Sequence, residues 1–132
     1  MDINPYLTFD GNCAEAFAFY AEVFGGEIAM MQKFGESPMA DQFKGLEDRV
    51  MHATLRIGER AIMGSDGGGG PWSPPQGITI QTSFLNADEA RTKFEALAEG
   101  GEVTMPFEAT FWSKGFGMLR DRFGMPWMVN CD

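Results

Sequence analysis

The sequence predicts an α+β protein built from two tandem βαβββ modules, and three observations carry that prediction. The segment Asn12-Cys-Ala-Glu15, an apolar helical run and Gly25-Gly-Glu-Ile-Ala-Met30 recur as Asn86-Ala-Asp-Glu89, a second helical run and Gly100-Gly-Glu-Val-Thr-Met105. Gly25 and Gly100 lie 75 residues apart, too far for a solenoid, whose units span about 20–50 residues, so the copies are half-domains. Short β-prone runs flank both helices, and a Gly/Pro-rich segment separates the copies.

The elements follow in order. Tyr6 to Phe9 is the first strand. Asn12 and Glu15 form an N-x-x-E variant of the capping box, in which the Asn side chain takes a backbone N–H of the first turn and the Glu bonds back to the cap. Ala16, Phe17, Tyr20, Val23 and Phe24 then fall at helical spacing. Gly25-Gly26 supplies the left-handed stop, and Ile28 to Phe34 is the second strand. Gly35 to Asp48 is polar and aperiodic, and holds the extra residues of the first half. Arg49 to Ile57 and Gly58 to Asp66 complete the module. The second copy runs as a strand at Ile78 to Phe84, a capping pair at Asn86 and Glu89, and a thinner helical face of Ala90, Phe94 and Leu97. Gly100-Gly101 stops that helix, and strands follow at Val103 to Phe111 and Lys114 to Asp121. The turn Asp121-Arg-Phe-Gly124 leads into the last strand. Gly58 to Asp66 and Gly124 to Asp132 each span nine residues and read as counterparts. The modules are therefore 1–66 and 77–132. Residues 67–76 are a linker in which Gly67–Gly70 loosens the chain and Pro71-Trp-Ser-Pro-Pro75 stiffens it.

Composition narrows the function classes. With 132 residues and 44% of them hydrophobic, the chain supports one core or two small linked ones. No run approaches the roughly 18 apolar residues of a membrane span, and no basic-plus-apolar leader is seen, so a cytoplasmic protein is expected. A net charge of −9 opposes binding to a phosphate backbone, which needs clustered Lys and Arg. Cys13 and Cys131 are not expected to form a disulfide in a cytosolic chain. Cys13, at a helix start, reads either as an activated thiol or as a small buried apolar residue. The sole histidine, His52, precludes a His-rich metal cluster within one chain, and no Cys/His zinc motif is present.

Several motifs carry a family resemblance: Pro5-Tyr-Leu-Thr-Phe-Asp-Gly-Asn12 with Phe19-Tyr20 and Phe24-Gly-Gly26, Met51-His-Ala-Thr-Leu-Arg-Ile-Gly58, Thr110-Phe-Trp-Ser-Lys-Gly-Phe-Gly117, and Asp121-Arg-Phe-Gly-Met-Pro-Trp-Met128. Together they resemble the PhnB-like branch of the vicinal oxygen chelate superfamily. Its relatives include glyoxalase I, extradiol dioxygenases, fosfomycin-resistance enzymes and bleomycin-resistance proteins. The resemblance implies modules whose mixed sheets curl into a cup, with a metal ligand from each of strands one, four, five and eight, usually His, Gln or Glu. Those positions fall here near Pro5 or Tyr6, Met63, Ile80 or Gln81, and Met128. Only Gln81 offers a hard or borderline donor, and one weak ligand does not hold Zn²⁺, Fe²⁺ or Ni²⁺. No metal or other cofactor is therefore expected, the alternative being an unorthodox site of His52 with Asp10, Asp66 or Glu108. A slip of one or two residues brings Tyr6 or Asn130 into the cup. The branch also carries a demethylubiquinone methyltransferase label. A methyltransferase normally shows a Gly-rich nucleotide turn between an early strand and a helix, whereas Gly67–Gly70 has no helix after it.

What remains is apolar and aromatic. Met30, Met63, Met105, Met118 and Met128 fall in strands, as adaptable pocket walls or core fillers. Trp112 and Trp127 offer planar surfaces for stacking, or core bulk. Trp72 caps a module or a neighbouring subunit. His52 beside Tyr6 reads as a general base or as a strand histidine bonded to a carboxylate. Glu108 and Thr110 sit near the cup rim, and Asp121 belongs to its turn. The expected ligand pocket is Tyr6, His52, Met63, Gln81, Glu108, Trp112, Trp127 and Met128. The expected function is metal-free binding of a small apolar or aromatic molecule by a homodimer, with nucleic acid and membrane excluded as partners. The alternative is a lyase, isomerase or oxygenase using an atypical metal or His52 and Tyr6.

Overall fold

The computed structural model describes all 132 residues. The chain divides between Trp72 and Ser73 into two compact units, each a four-stranded mixed sheet with one helix. This is the α+β, two-module architecture read from the sequence. No helix is long and apolar enough to cross a membrane.

The first unit runs β1 (Tyr6–Phe9), α1 (Cys13–Phe24), β2 (Glu27–Lys33), short 3₁₀ turns at Phe34–Glu36 and Ala40–Phe43, β3 (Val50–Ile57) and β4 (Arg60–Asp66). Its strand order is β1-β4-β3-β2, with β1 and β4 parallel and the other pairs antiparallel. Successive strand residues face opposite sides, so Leu7, Phe9, Ala53, Leu55 and Ile62 are buried against α1 while Tyr6, Met63 and Thr54 point away. Phe17 of α1 meets Phe9 edge-on at 6.0 Å. Gly64 lies in the middle of β4 because α1 comes very close there: a Cβ would sit 2.7 Å from the Leu7 carbonyl oxygen and 2.9 Å from the Phe17 ring. The aperiodic stretch 35–48 is closed by Phe34 and Gly35, which donate to the Arg49 and Glu47 carbonyls. The Phe34 and Phe43 rings pack 4.3 Å apart inside it.

The second unit runs β5 (Ile80–Phe84), α2 (Ala87–Ala98), β6 (Glu102–Glu108), β7 (Gly115–Arg120) and β8 (Pro126–Cys131), in strand order β5-β8-β7-β6. Ala90, Phe94 and Leu97 of α2 bury the face predicted for them, against Leu119, Trp127 and Val129. The predicted strand Val103 to Phe111 stops at Glu108, because Thr110 and Ser113 close a turn.

Two details of the duplication are corrected. The capping pair works only in the second copy: the Asn86 side chain accepts from the Glu89 N–H at 2.9 Å, whereas Asn12 makes no side-chain cap. In the first unit Asp66, at the end of β4, occupies that place, taking the Gly11 and Cys13 N–H groups on Oδ1 at 2.8 and 3.0 Å. The second correction concerns register. Phe9 pairs with Asp66 and Phe84 with Cys131, so the counterpart of Asp66 is Cys131 and not Asp132. The β3–β4 hairpin turns on Gly58 and Glu59 alone. In β7–β8, Asp121 donates to the Met125 carbonyl across a loop one residue longer, which displaces the Gly-to-Asp match by one position. Cys131 cannot cap a helix as a carboxylate can, so in the second unit the Asn does so.

Candidate functional site

Each sheet has one face against its helix and one turned away from it, and the residues predicted for the site divide between those faces. On the outward face of the first sheet, Tyr6 pairs with Met63, Met63 with Thr54 and Thr54 with Met30, a row across all four strands. Adjacent members stand about 4.8 Å apart, the spacing of hydrogen-bonded strands. Beside this row the Tyr6 hydroxyl meets His52 Nδ1 at 3.1 Å, with the two rings stacked at 5.6 Å between centroids. Thr54 Oγ1 lies 3.3 Å from His52 Nε2. A neutral imidazole protonated on Nε2 satisfies both contacts, accepting from the phenol and donating to the threonine. The partners of His52 are therefore hydroxyls, not the carboxylate expected as one of its alternatives. Asp10 instead pairs with Arg49 at 3.2 Å. Asp66, 2% exposed, takes three backbone N–H groups.

The second sheet repeats the row at the same positions. Gln81 pairs with Met128, Met128 with Met118 and Met118 with Met105, so three thioethers lie side by side on β8, β7 and β6. Phe116 and Asn130 form the next pair, with Glu108 opposite Phe116 on the edge strand. Trp112, 56% exposed in the β6–β7 loop, meets Phe116 at 5.5 Å and Phe111 at 4.8 Å, both edge-on. The result is an aromatic cluster beside the methionines. Asn130 donates to Asp132 at 2.7 Å, while its Oδ1 is buried without a hydrogen-bond partner.

Tyr6, His52 and Met63 thus share a face in the first unit, and Gln81, Glu108, Met128 and the Trp112 cluster share one in the second. Trp127 does not join them. It is 1% exposed on the helix side of β8, and its Nε1 donates to Asp121 Oδ2 at 2.8 Å. The expectation that it lines a ligand pocket is corrected by strand alternation: with Met128 facing outward, Trp127 must face the core. Asp121 does serve its turn, accepting the Phe123 and Met125 N–H groups on Oδ1. Trp72 donates to the Thr8 carbonyl at 2.7 Å and closes the first unit. Thr54 and Phe116 were not among the candidates. Period-two spacing from His52 and from Met118 was the signal that finds them.

The donor set does not fit a divalent metal. The strand positions at which the family resemblance places metal ligands hold a phenol beside a thioether in one unit and an amide beside a thioether in the other, with no imidazole or carboxylate. Thioethers are soft donors, unsuited to Zn²⁺, Fe²⁺ or Ni²⁺. Nowhere do three or more His, Cys, Asp or Glu side chains gather as a metal cluster. Cys13 does not have the environment of an activated thiol. It is fully buried, and burial, reinforced by the negative charge of Asp66, pushes its thiol up to about 12, away from the thiolate form that reacts.

Comparison with known proteins agrees with this architecture. Residues 1–130 match the family model described as 3-demethylubiquinone-9 3-methyltransferase. Protein YjdN of Escherichia coli K12 is 34% identical over 98% of this chain and 95% of its own length. Protein PA1353 of Pseudomonas aeruginosa superposes with a TM-score of 0.93 at 44% identity, over 100% of this chain and 98% of that one. The PhnB protein of Bacillus cereus superposes at 0.86 with 27% identity, over the whole of both chains. A glyoxylase/bleomycin resistance protein/dioxygenase domain from Frankia, 13% identical with a TM-score of 0.70 over 99% of this chain and 96% of that one, shares the fold. The chain belongs to the PhnB-like family that bears the 3-demethylubiquinone-9 3-methyltransferase description, on the vicinal oxygen chelate fold.

Proposed function

We propose that this protein binds a small, flat apolar or aromatic molecule on its methionine-lined sheet faces, without a metal ion. The observation that carries the reading is the row Met128–Met118–Met105 beside the Phe116–Trp112 cluster. Unbranched, polarisable thioethers conform to irregular apolar ligands and contact aromatic rings favourably, and edge-on aromatic rings add directional contacts. Acid–base catalysis by His52 is less well supported. Both ring nitrogens are engaged, by Tyr6 and Thr54, so proton exchange with a substrate first requires one of those bonds to break. For the methyltransferase description, Gly67–Gly70 leads into Pro71–Pro75 and not into a helix N-terminus, and a nucleotide cradle needs that helix.

The test uses N-phenyl-1-naphthylamine, a neutral aromatic probe whose fluorescence rises on burial. Saturable binding is expected, weakened about tenfold in Met118→Gln, in line with the roughly 1.5–3 kcal/mol that burial of a methionine contributes. Absence of saturable binding, or an unchanged affinity in the variant, sinks the reading.

The protein is further read as a cytoplasmic homodimer. Both cysteines are free and buried, as in a reducing compartment. Ile28 and Met30 on β2, and Val103 and Met105 on β6, are exposed on strands paired along one edge only, and a second copy related by a two-fold axis is the usual cover for such edges. Light scattering at micromolar concentration should give twice the 14.6 kDa chain mass; a monomer mass refutes the dimer.

A further inference from the structure

The linker side of the second unit holds a feature that neither the fold nor the methionine row accounts for. A cleft of about 520 Å³ is lined by Ser73, Pro74, Pro75, Gln76 and Arg120, within the range of small-molecule sites. Arg120 ends β7 on the same side as Phe116 and Met118, since Gly115, Gly117 and Leu119 alternate with them into the core. Its guanidinium is partly buried and fixed in place: Nη1 donates to the Gly124 carbonyl, and Nη2 donates to the Pro75 carbonyl at 3.1 Å. Of five N–H donors in a fixed fork, two are taken and three remain. Its cross-strand neighbour is Glu102, but no carboxylate lies within ion-pair distance of it. A half-desolvated cation held by carbonyl dipoles alone, in a chain of net charge −9, is prepaid in side-chain entropy and lacks only its counter-charge.

We infer that Arg120 is an anion subsite, and that the ligand of the second sheet carries a carboxylate, sulfonate or similar group at one end of a flat apolar body. The inference rests on the binding function proposed above and names the ligand class more closely. The geometry suits it: Met118 and Arg120 are two residues apart on one face, about 7 Å along the strand, roughly the length of a fused two-ring system. Pro74 and Pro75 supply the apolar wall, and Ser73 and Gln76 the polar rim. The overall negative charge repels free inorganic anions, so the apolar body is needed to bring the anion in.

Two probes that differ by one group decide the matter. 8-Anilinonaphthalene-1-sulfonate is N-phenyl-1-naphthylamine with a sulfonate added. On the wild-type protein at low salt the sulfonate should bind about tenfold tighter than the neutral probe, the increment of a hydrogen bond to a charged group, and added salt should erode that preference. Arg120→Gln should abolish the preference and leave the neutral probe's affinity in place, while Arg120→Lys should keep part of it. Equal wild-type affinities for the two probes overturn the anion subsite and leave the binding function standing. Equal weakening of both probes in Arg120→Gln overturns it too, showing Arg120 to be only a clamp between linker and turn. If neither probe binds, both readings fall. The wild-type comparison and its salt dependence need no variant, so a misfolded Arg120→Gln leaves them decisive.

Discussion

Truncating Trp127 to alanine should destabilise the second unit by about 3–5 kcal/mol, the range for removing a fully buried large aromatic side chain. Trp127 is among the largest fully buried side chains of the chain. It lies on β8 between α2 and the sheet, and its Nε1 hydrogen bond reaches a carboxylate that also organises the β7–β8 turn. Truncation therefore opens a cavity and loosens the turn in one step. Trp127→Phe separates the two contributions: it keeps most of the apolar contact and loses the N–H, so about 1–3 kcal/mol is expected, the cost of disturbing a hydrogen bond to a buried charge. Urea unfolding followed by circular dichroism measures both. A loss below about 1 kcal/mol for the alanine variant, with probe binding weakened instead, would return Trp127 to the ligand surface.

The Trp127 assignment shows where the sequence is informative and where it is not. Element type and order were legible, because the Gly-Gly stops at 25–26 and 100–101, the apolar faces of both helices and the β-prone runs are local signals. The parity of a strand was also legible in principle: Trp127 and Met128 are adjacent, and adjacent strand residues cannot share a face. Met128 pairs with Gln81 and Met118 on the outward face, which commits Trp127 to the core. Long-range substitutions of one role by another were not legible. Nothing near Asn12 reveals that a carboxylate 54 residues away, Asp66, takes the Gly11 and Cys13 N–H groups on either side of the expected cap. Nothing near Arg120 reveals that Pro75, 45 residues earlier, fixes its guanidinium. The one-residue slip between Asp66 and Asp132 came from a difference in hairpin loop length, which matching end residues concealed.

Asp66→Asn is the second large expected effect, and its size follows from donor count. Asp66 Oδ1 accepts from Gly11 and Cys13, and Oδ2 accepts from Val50 at 2.9 Å, so one buried carboxylate ties the β1–α1 turn and the first residue of β3 to the end of β4. An asparagine keeps the shape but has one acceptor oxygen. Whichever way its amide is turned, its NH₂ faces a backbone N–H, and a buried donor is left without an acceptor. The negative charge at the N-terminus of α1 is lost as well, worth about 0.3–2 kcal/mol. Together with the unsatisfied donor, at about 1–3 kcal/mol, a loss of about 2–4 kcal/mol is expected. The two asparagines of the duplicated motif are the controls. Asn86→Ala should cost about 1 kcal/mol because it removes a working cap, whereas Asn12→Ala should stay within about 0.5 kcal/mol because no side-chain cap is lost. If chemical denaturation instead finds Asn12→Ala as costly as Asn86→Ala, and Asp66→Asn near neutral, then Asn12 caps α1 in solution. Asp66 would not have taken over the role, and the two halves would use their shared motif alike.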